Sequence, residues 1–297
     1  GIHFPMMNII TKNWFPKHER SRGNGIWVSG IFVATILAPI ILVPIIENYG
    51  WKNMFYVLSA AGIVITLPLI FLFIYNSPKQ HPRISPTEQD YIGRNQEEET
   101  DKDVPFFQLL KSKVFVIAFL GGIFNNMAAH GLVSWLPTYF TEGRGLPFNE
   151  LNYAMSLPYA FSIFGILLWS YLGDKLNKRV ILASIGFLLA GGFVFFAVKA
   201  ESINMTVVIL SGAIFAVTAY TTSEFAIIQR ILPKHALARG VGVYNGLTTL
   251  IGGGLGPIIV GTVVSTTGSW ASGVLSLVVI CVLASVVLFI LSRILKY

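Results

Sequence analysis

The chain has 297 residues, of which 54% are hydrophobic and only 12% are charged. A soluble domain carries about 25% charged residues, so this composition excludes an ordinary water-soluble fold and indicates a chain that lies mostly in lipid. The formal net charge of +7 does not indicate a nucleic-acid-binding protein, because the basic residues separate apolar runs instead of forming one patch with interleaved aromatic residues.

Eight apolar segments follow one another along the chain. Each is long enough to cross a bilayer as a helix, which takes about 20 residues. They are predicted at 24–46, 53–75, 113–140, 151–172, 179–198, 203–229, 240–266 and 270–292. Residues 1–10 have the composition of the end of a ninth helix.

Residues 77–112 form a long polar stretch that is rich in proline and charge. This composition predicts a linker between two helical bundles. A short surface helix is expected near 86–96, with Ser85 as its N-cap and Glu88 at its third position.

Basic residues predict the orientation of the spans. If the loop at 14–22 lies inside and the spans alternate, 18 of the 21 lysines and arginines fall in inner segments, and only Lys52, Arg144 and Lys199 lie outside. Cytoplasmic loops carry such an excess of basic residues. The linker and the C-terminus are therefore predicted to be cytoplasmic.

Two similar stretches, Trp14–Gly25 and Ile231–Gly242, share a pattern of proline, lysine, histidine, arginine and glycine at one constant spacing. Self-similarity of this kind indicates a duplicated unit. The predicted domains are the end of an N-terminal six-helix bundle at 1–76, the cytoplasmic linker at 77–112 and a C-terminal six-helix bundle at 113–297. On the same reasoning, about 105 residues, or three helices and most of a fourth, are expected before the chain.

Short motifs in a fixed order cover nearly the whole chain, and together they resemble the anion:cation symporter branch of the major facilitator superfamily. That branch includes bacterial hexuronate, galactonate and glucarate permeases, sialin and the vesicular glutamate transporters. The motifs are Trp14-Phe15-Pro16, Glu19-Arg20-Ser21-Arg22, Gly50-Trp51, Ser77-Pro78, Leu136-Pro137-Thr138-Tyr139-Phe140, Leu157-Pro158, Gly173-Asp174 and Lys178-Arg179. The chain departs from the vesicular glutamate transporters, which have an arginine near the position of Asn125, and from many relatives in having His130 instead of tyrosine.

The resemblance implies an all-α, polytopic membrane protein that holds helices four to twelve of twelve. It also implies proton-coupled symport of a small organic anion, such as a sugar acid, by alternating access. The expected setting is a monomer in a bacterial cell membrane, with the anion, protons and lipid as partners and no cofactor or nucleic acid. Two alternatives stay open, which are an exporter of amphiphilic drugs or metabolites and a non-transporting membrane sensor with the same fold.

Polar residues inside the spans are the candidate site residues, because unpaired polar groups in lipid are costly. Asn126, His130, Ser134 and Thr138 recur every four residues and predict one polar stripe, with Asn125 beside it. The stripe either lines a substrate cavity or forms hydrogen bonds between helices. His130 either tunes a pH response or is a structural residue.

Further substrate-binding candidates lie on other spans. They are Tyr159, Asn245, Thr248, Thr249 and Ser29, with Asn245 chosen by resemblance to sugar-acid permeases. Glu224 is the acidic residue within a predicted span, and it either carries protons or forms an ion pair with Arg230 or a loop cation.

Charged residues at the two inner faces are expected to form state-dependent ion pairs that gate the inner side. They are Glu19, Arg20, Arg22, Asp174, Lys178 and Arg179. The sequence has one cysteine, Cys281, and carries no metal-ligand cluster, phosphate-binding loop motif or nucleophile triad, so no enzymatic activity is predicted.

Overall fold

The structure is a computed structural model, and it describes residues 3–15, 20–94, 108, 110–176 and 178–295. The described part of the chain is helical and contains no β-strand. Its α-helices are α1 (His3–Trp14), α2 (Arg20–Tyr49), α3 (Trp51–Ala61), α4 (Leu67–Phe73), α5 (Pro86–Arg94), α6 (Lys113–Thr138), α7 (Leu151–Leu176), α8 (Arg179–Lys199), α9 (Ile203–Ile231), α10 (Lys234–Thr267) and α11 (Trp270–Ile294).

Eight stretches of the described chain are long and apolar enough to cross a membrane. They are Ile26–Tyr49, Trp51–Phe73, Lys113–Gly143, Phe148–Gly173, Arg179–Lys199, Ile203–Ile231, Arg239–Thr267 and Trp270–Ile294. Each overlaps one predicted span, so the prediction of eight membrane helices is confirmed. A π-helical turn at Gly62–Thr66 joins α3 and α4 into a single span.

Local sequence signals set several helix ends. Gly50 and Gly268 adopt the positive φ angles, 80° and 66°, that end α2 and α10 and that glycine tolerates without strain. At the start of α5, the Ser85 hydroxyl accepts a hydrogen bond from the Glu88 amide at 3.1 Å. This contact confirms the predicted cap of the linker helix. Ser112 caps α6 in the same way.

Helices α6 and α10 pack closely together, and glycines of α10 make this approach possible. A Cβ atom built on Gly252 or Gly256 would collide with the backbone carbonyl oxygens of Ile123 or Met127 on α6. Small residues allow such approach between membrane helices. On the same interface, the Trp135 indole N–H donates to the Pro257 carbonyl at 2.8 Å.

The remaining helices of the C-terminal region surround this pair. Helix α9 packs against α7 and α8, and α11 packs against α6 and α8. Two helices from the first part of the chain then cover this group, since α2 lies along α7 and α1 packs on α10. A cavity is left where α2 faces the C-terminal helices.

Candidate functional site

A cavity of about 450 Å³ lies between α2 and the helices of the C-terminal region. Helices α6, α7, α9 and α10 supply the polar part of its wall, whereas α2 contributes the apolar side chains of Val28 and Ile31. The polar lining residues are Asn125, Asn126, His130, Tyr159, Thr218, Thr221, Glu224, Asn245 and Thr249.

Most predicted binding residues therefore meet at one place, although three do not. Ser134 is exposed outside the lining. Four residues of an α-helix turn through about 400°, so a stripe of every fourth residue drifts by about 40° at each step and leaves the cavity face. Ser29 faces a second cavity, and its hydroxyl donates to the Ile26 carbonyl of its own helix.

Thr248 is the third predicted residue that does not line the cavity. It is fully buried and donates to the Asn245 carbonyl at 3.4 Å. Its methyl group packs on α6, where a Cβ atom on Gly122 would lie 2.9 Å from it. Thr248 thus belongs to the α6–α10 interface, and its neighbour Thr249 faces the cavity.

Amide side chains dominate the hydrogen-bonding capacity of the cavity wall. The Asn126 amide donates to the Gly122 carbonyl at 3.0 Å and accepts from Thr249 at 3.5 Å, which joins α6 to α10. The side-chain amides of Asn125 and Asn245 form no hydrogen bond with any described residue. Since an amide offers two donors and an acceptor, these two groups can bind hydroxyl or carboxylate groups of a ligand.

Glu224 of α9 adds a carboxyl group to the same wall. Its Oε1 atom accepts a hydrogen bond from the Tyr244 hydroxyl of α10 at 2.9 Å, and the Tyr244 hydroxyl lies 2.8 Å from that of Tyr220. Within the described residues Glu224 makes this contact and no ion pair with Arg230. Of the two roles predicted for Glu224, the described contacts do not include the ion pair with Arg230, and the role as a proton carrier stays a prediction.

His130 lies on the cavity wall with an exposed side chain. Its ring packs over α10, where a Cβ atom on Gly253 would lie 3.1 Å from the His130 Cδ2 atom. The position leaves the imidazole accessible from the cavity.

A second cavity, of about 420 Å³, adjoins the first and extends to Gly173 and Arg179 at the turn between α7 and α8. The two cavities share Val28, Thr221 and Phe225 as lining residues. The Phe225 ring also contacts the Trp27 ring, with centroids 5.7 Å apart. The contact between Phe225 and Trp27 therefore lies where the two cavities meet.

The charged residues predicted to gate the inner face are only partly described. Glu19 lies outside the described residues, and so do the side chains of Arg20, Arg22 and Asp174. Lys178 is exposed. Arg179 lines the second cavity and packs over Gly173, where a Cβ atom would lie 3.3 Å from its Cγ atom.

Neutral contacts that the sequence did not reveal join the first part of the chain to the C-terminal helices. The Gln229 amide donates to the Asn8 side chain at 3.3 Å, and the Ser156 hydroxyl donates to the Ile36 carbonyl at 3.0 Å. Both hydrogen bonds join helices that are far apart along the sequence. The residue pattern within one helix cannot predict such a contact. In the described part of the chain, no group of His, Cys, Asp or Glu is placed to hold a metal ion.

Eight hydrophobic helices and a cavity with polar side chains define a polytopic helical membrane protein. The chain belongs to the Major Facilitator Superfamily, whose family model matches residues 1–257 and 145–296. This family comprises membrane transporters and not enzymes, in agreement with the sequence analysis.

Curated relatives are similar to the chain at low identity. It is 25% identical to the probable galactarate/D-glucarate transporter GudP of Bacillus subtilis (strain 168), over 90% of the chain and 62% of the relative. It is 24% identical to the D-galactonate transporter of Escherichia coli O6:H1, over 88% of the chain and 63% of the relative. The chain thus spans less than two thirds of the length of these relatives.

Solved structures show the same fold. A bacterial homolog of the human lysosomal transporter Spinster, in an inward-facing and unoccupied conformation, aligns with a TM-score of 0.62. The alignment covers 96% of the chain and 73% of that structure at 18% sequence identity.

Proposed function

We propose that the full-length protein is a secondary transporter that couples the entry of a small organic anion, such as a sugar acid, to protons. The observation that carries this proposal is the cavity wall, where the open amides of Asn125 and Asn245 lie with the carboxyl group of Glu224. Amides can bind the hydroxyl and carboxylate groups of a sugar acid, and a carboxyl group can carry a proton. The names of the galactarate, D-glucarate and D-galactonate transporters support this substrate class.

The proposed mechanism is alternating access around the central cavity. Transporters of this build bind substrate near the bilayer midplane and rock one bundle against the other. Residues 1–76 and 113–297 would form parts of the two bundles, joined by the cytoplasmic linker at 77–112. Contacts such as Gln229 with Asn8 would have to break when the inner side opens. The proposed setting is a monomer in the cell membrane.

Reconstituted full-length protein tests the proposal directly. With an inward proton gradient, proteoliposomes should accumulate radiolabelled D-glucarate or D-galactonate, and a protonophore should abolish the accumulation. Absence of gradient-driven uptake for both compounds and for a wider panel of carboxylates would refute proton-coupled anion symport.

A matched pair of variants tests the site. Asn245→Ala removes an open amide from the cavity and should weaken uptake about 3- to 10-fold, because a hydrogen bond contributes about 0.5–1.5 kcal/mol. Asn53→Ala is the control, since its amide donates to the Tyr49 carbonyl away from the cavity and its loss should leave uptake unchanged. Equal effects of the two variants on uptake would show that the Asn245 side chain does not bind the substrate.

An exporter of amphiphilic compounds is the second candidate. It is favoured by the mainly apolar lining and by the absence of lysine or arginine among the described residues of the central cavity. Efflux of a cationic dye such as ethidium from proteoliposomes, together with no uptake of sugar acids, would support this candidate over the first.

A further inference from the structure

The carboxyl group of Glu224 stands at the end of a chain of hydroxyl groups that runs away from the cavity. Glu224 lines the cavity, Tyr244 lies behind it, and Tyr220 lies behind Tyr244. The two tyrosines are 1% and 2% exposed. Both hydrogen bonds, at 2.9 and 2.8 Å, have ordinary lengths for O–H donors and oxygen acceptors.

The surrounding helices hold the two phenol rings in place. Phe115 and Phe119 of α6 contact the Tyr244 ring edge-on, each with centroids 6.4 Å apart, and Phe187 of α8 contacts the Tyr220 ring at 5.6 Å. Gly122 of α6 makes room for the Tyr244 hydroxyl, because a Cβ atom there would collide with it. The hydroxyl groups therefore have little freedom to turn away from the carboxyl group.

This arrangement can satisfy Glu224 in both of its charge states. When the carboxyl group is ionised it only accepts hydrogen bonds, so Tyr244 donates to it and Tyr220 donates to Tyr244. When the carboxyl group takes up a proton from the cavity, it can donate to Tyr244, which then donates to Tyr220. Each tyrosine keeps its own proton and only the direction of donation reverses. The Glu224 carboxyl group and the Tyr244 hydroxyl therefore stay hydrogen-bonded to each other in either state.

We propose that Tyr244 and Tyr220 are positioning residues that let Glu224 gain and lose a proton at the cavity wall and thereby set the pH dependence of transport. The proposal rests on the proposed function. The arrangement also connects the charge of Glu224 to substrate binding. Tyr244 is adjacent in sequence to Asn245, whose side-chain amide lines the same cavity. A change of hydrogen bonding at Tyr244 thus acts on the helix that carries a binding residue.

Other titratable groups on the cavity wall could also affect the pH profile, so a test must distinguish their effects from that of Glu224. They are His130 on α6, Tyr159 on α7 and Cys281 on α11, whereas the lining residues of α2 and α8 are apolar. His130→Gln removes the imidazole and is measured alongside the tyrosine variants. Tyr139→Phe is the matched control, since Tyr139 is also 2% exposed, does not line the cavity and has Arg144 instead of a carboxyl group beside its hydroxyl.

The first experiment measures uptake of D-glucarate, or of the anion that the reconstituted protein accumulates, as a function of pH in full-length variants. Tyr244→Phe removes a donor that stabilises the ionised carboxyl group, so the midpoint of the pH profile should move to higher pH by about 1 unit. Tyr220→Phe should produce a smaller shift in the same direction. Glu224→Gln should abolish proton-driven accumulation while retaining exchange of substrate across the membrane.

The outcomes separate this proposal from the proposed function. If the unmodified protein shows no proton-driven uptake, the proposed function fails. If it does, and Tyr244→Phe has the pH profile of Tyr139→Phe, or Glu224→Gln still accumulates substrate, the assignment of the tyrosines or of Glu224 is wrong. A pH shift in His130→Gln without one in Tyr244→Phe would overturn the proposal in favour of the imidazole.

A spectroscopic measurement keeps the proposal falsifiable if a variant transports poorly. The infrared carboxylic-acid band that is lost in Glu224→Gln should titrate in the unmodified protein in detergent, and its midpoint should shift to higher pH in Tyr244→Phe but not in Tyr139→Phe. A band that titrates identically in both variants contradicts the positioning role, whether or not uptake is measurable.

Discussion

Two membrane spans of this protein are both strongly apolar but differ in their surroundings. The span Trp51–Phe73 has the higher mean hydropathy of the two, yet none of the residues in its most apolar part is buried by the described chain. The span Ile203–Ile231 is less apolar, and half of the residues in its most apolar part are buried. Apolar content therefore indicates that a segment lies in the bilayer, but it does not indicate where other helices pack against it.

Small residues line the packed surfaces of α9. On α9, Ala213, Ala216 and Ala219 are almost completely buried. The neighbouring helices bring glycines to this surface, since Gly186 of α8 would meet Ala216 and Ala219 if it had a Cβ atom. Gly62, in the exposed span, has nothing within 4 Å of such an atom. Helices in lipid associate through close packing of small residues, because lipid tails are as apolar as leucine.

The largest expected difference between the two spans concerns a leucine in each. Leu210 on α9 is 1% exposed, and Leu69 on α4 is 49% exposed. Leu210→Ala should destabilise the 297-residue chain by about 2 kcal/mol or more, because it leaves a cavity in a packed interface. Leu69→Ala should change stability by less than about 0.5 kcal/mol. Thermal unfolding in detergent measures the stability of both variants. Equal losses of stability would show that the two spans do not differ in how tightly they are packed.

The second pair tests the glycines. Gly186→Val places a side chain against the Ala216 carbonyl, which is backbone and cannot move aside, and should cost about 1–3 kcal/mol. Gly62→Val meets open space and should be close to neutral. The fraction of folded protein that survives heating, measured by size-exclusion chromatography, distinguishes the two. A stable Gly186→Val variant would indicate that α8 and α9 are not in close contact.

The third pair compares two tryptophans. Trp135→Phe loses the hydrogen bond to the Pro257 carbonyl, and this should cost about 0.5–1.5 kcal/mol. Trp51 is 61% exposed, so Trp51→Phe should have a smaller effect on unfolding in detergent. The same heating assay applies. A larger loss in Trp51→Phe would contradict the assignment of the stronger contact to the α6–α10 interface.

The smallest expected effect concerns two serines. The buried hydroxyls of Ser184 and Ser285 each donate to the backbone carbonyl of the other residue at 2.8 Å, joining α8 to α11. Hydrogen bonds between membrane helices contribute about 0.6 kcal/mol on average, so Ser184→Ala should lower the unfolding temperature slightly. Ser59→Ala, in the exposed span, should leave it unchanged. Identical melting curves for the two variants would show that the hydrogen bonds between Ser184 and Ser285 do not stabilise the protein measurably.

The sequence was sufficient for the features that depend on short stretches of chain. Each of the eight spans was located, because a run of apolar residues is itself the requirement for crossing lipid. The cap formed by Ser85 and Glu88 was predicted from their spacing alone, since both groups belong to one turn of helix. Asn126 and His130 were likewise placed on one face of α6 by helical periodicity, and both line the cavity.

Only the tertiary structure decided which polar residues meet. Thr248 and Thr249 are adjacent on α10, yet one packs against α6 and the other faces the cavity, because the rotation of a helix about its axis depends on its neighbours. For the same reason Tyr244 and not Arg230 became the partner of Glu224. Helical periodicity determines which residues share a face, whereas packing between helices determines what that face contacts.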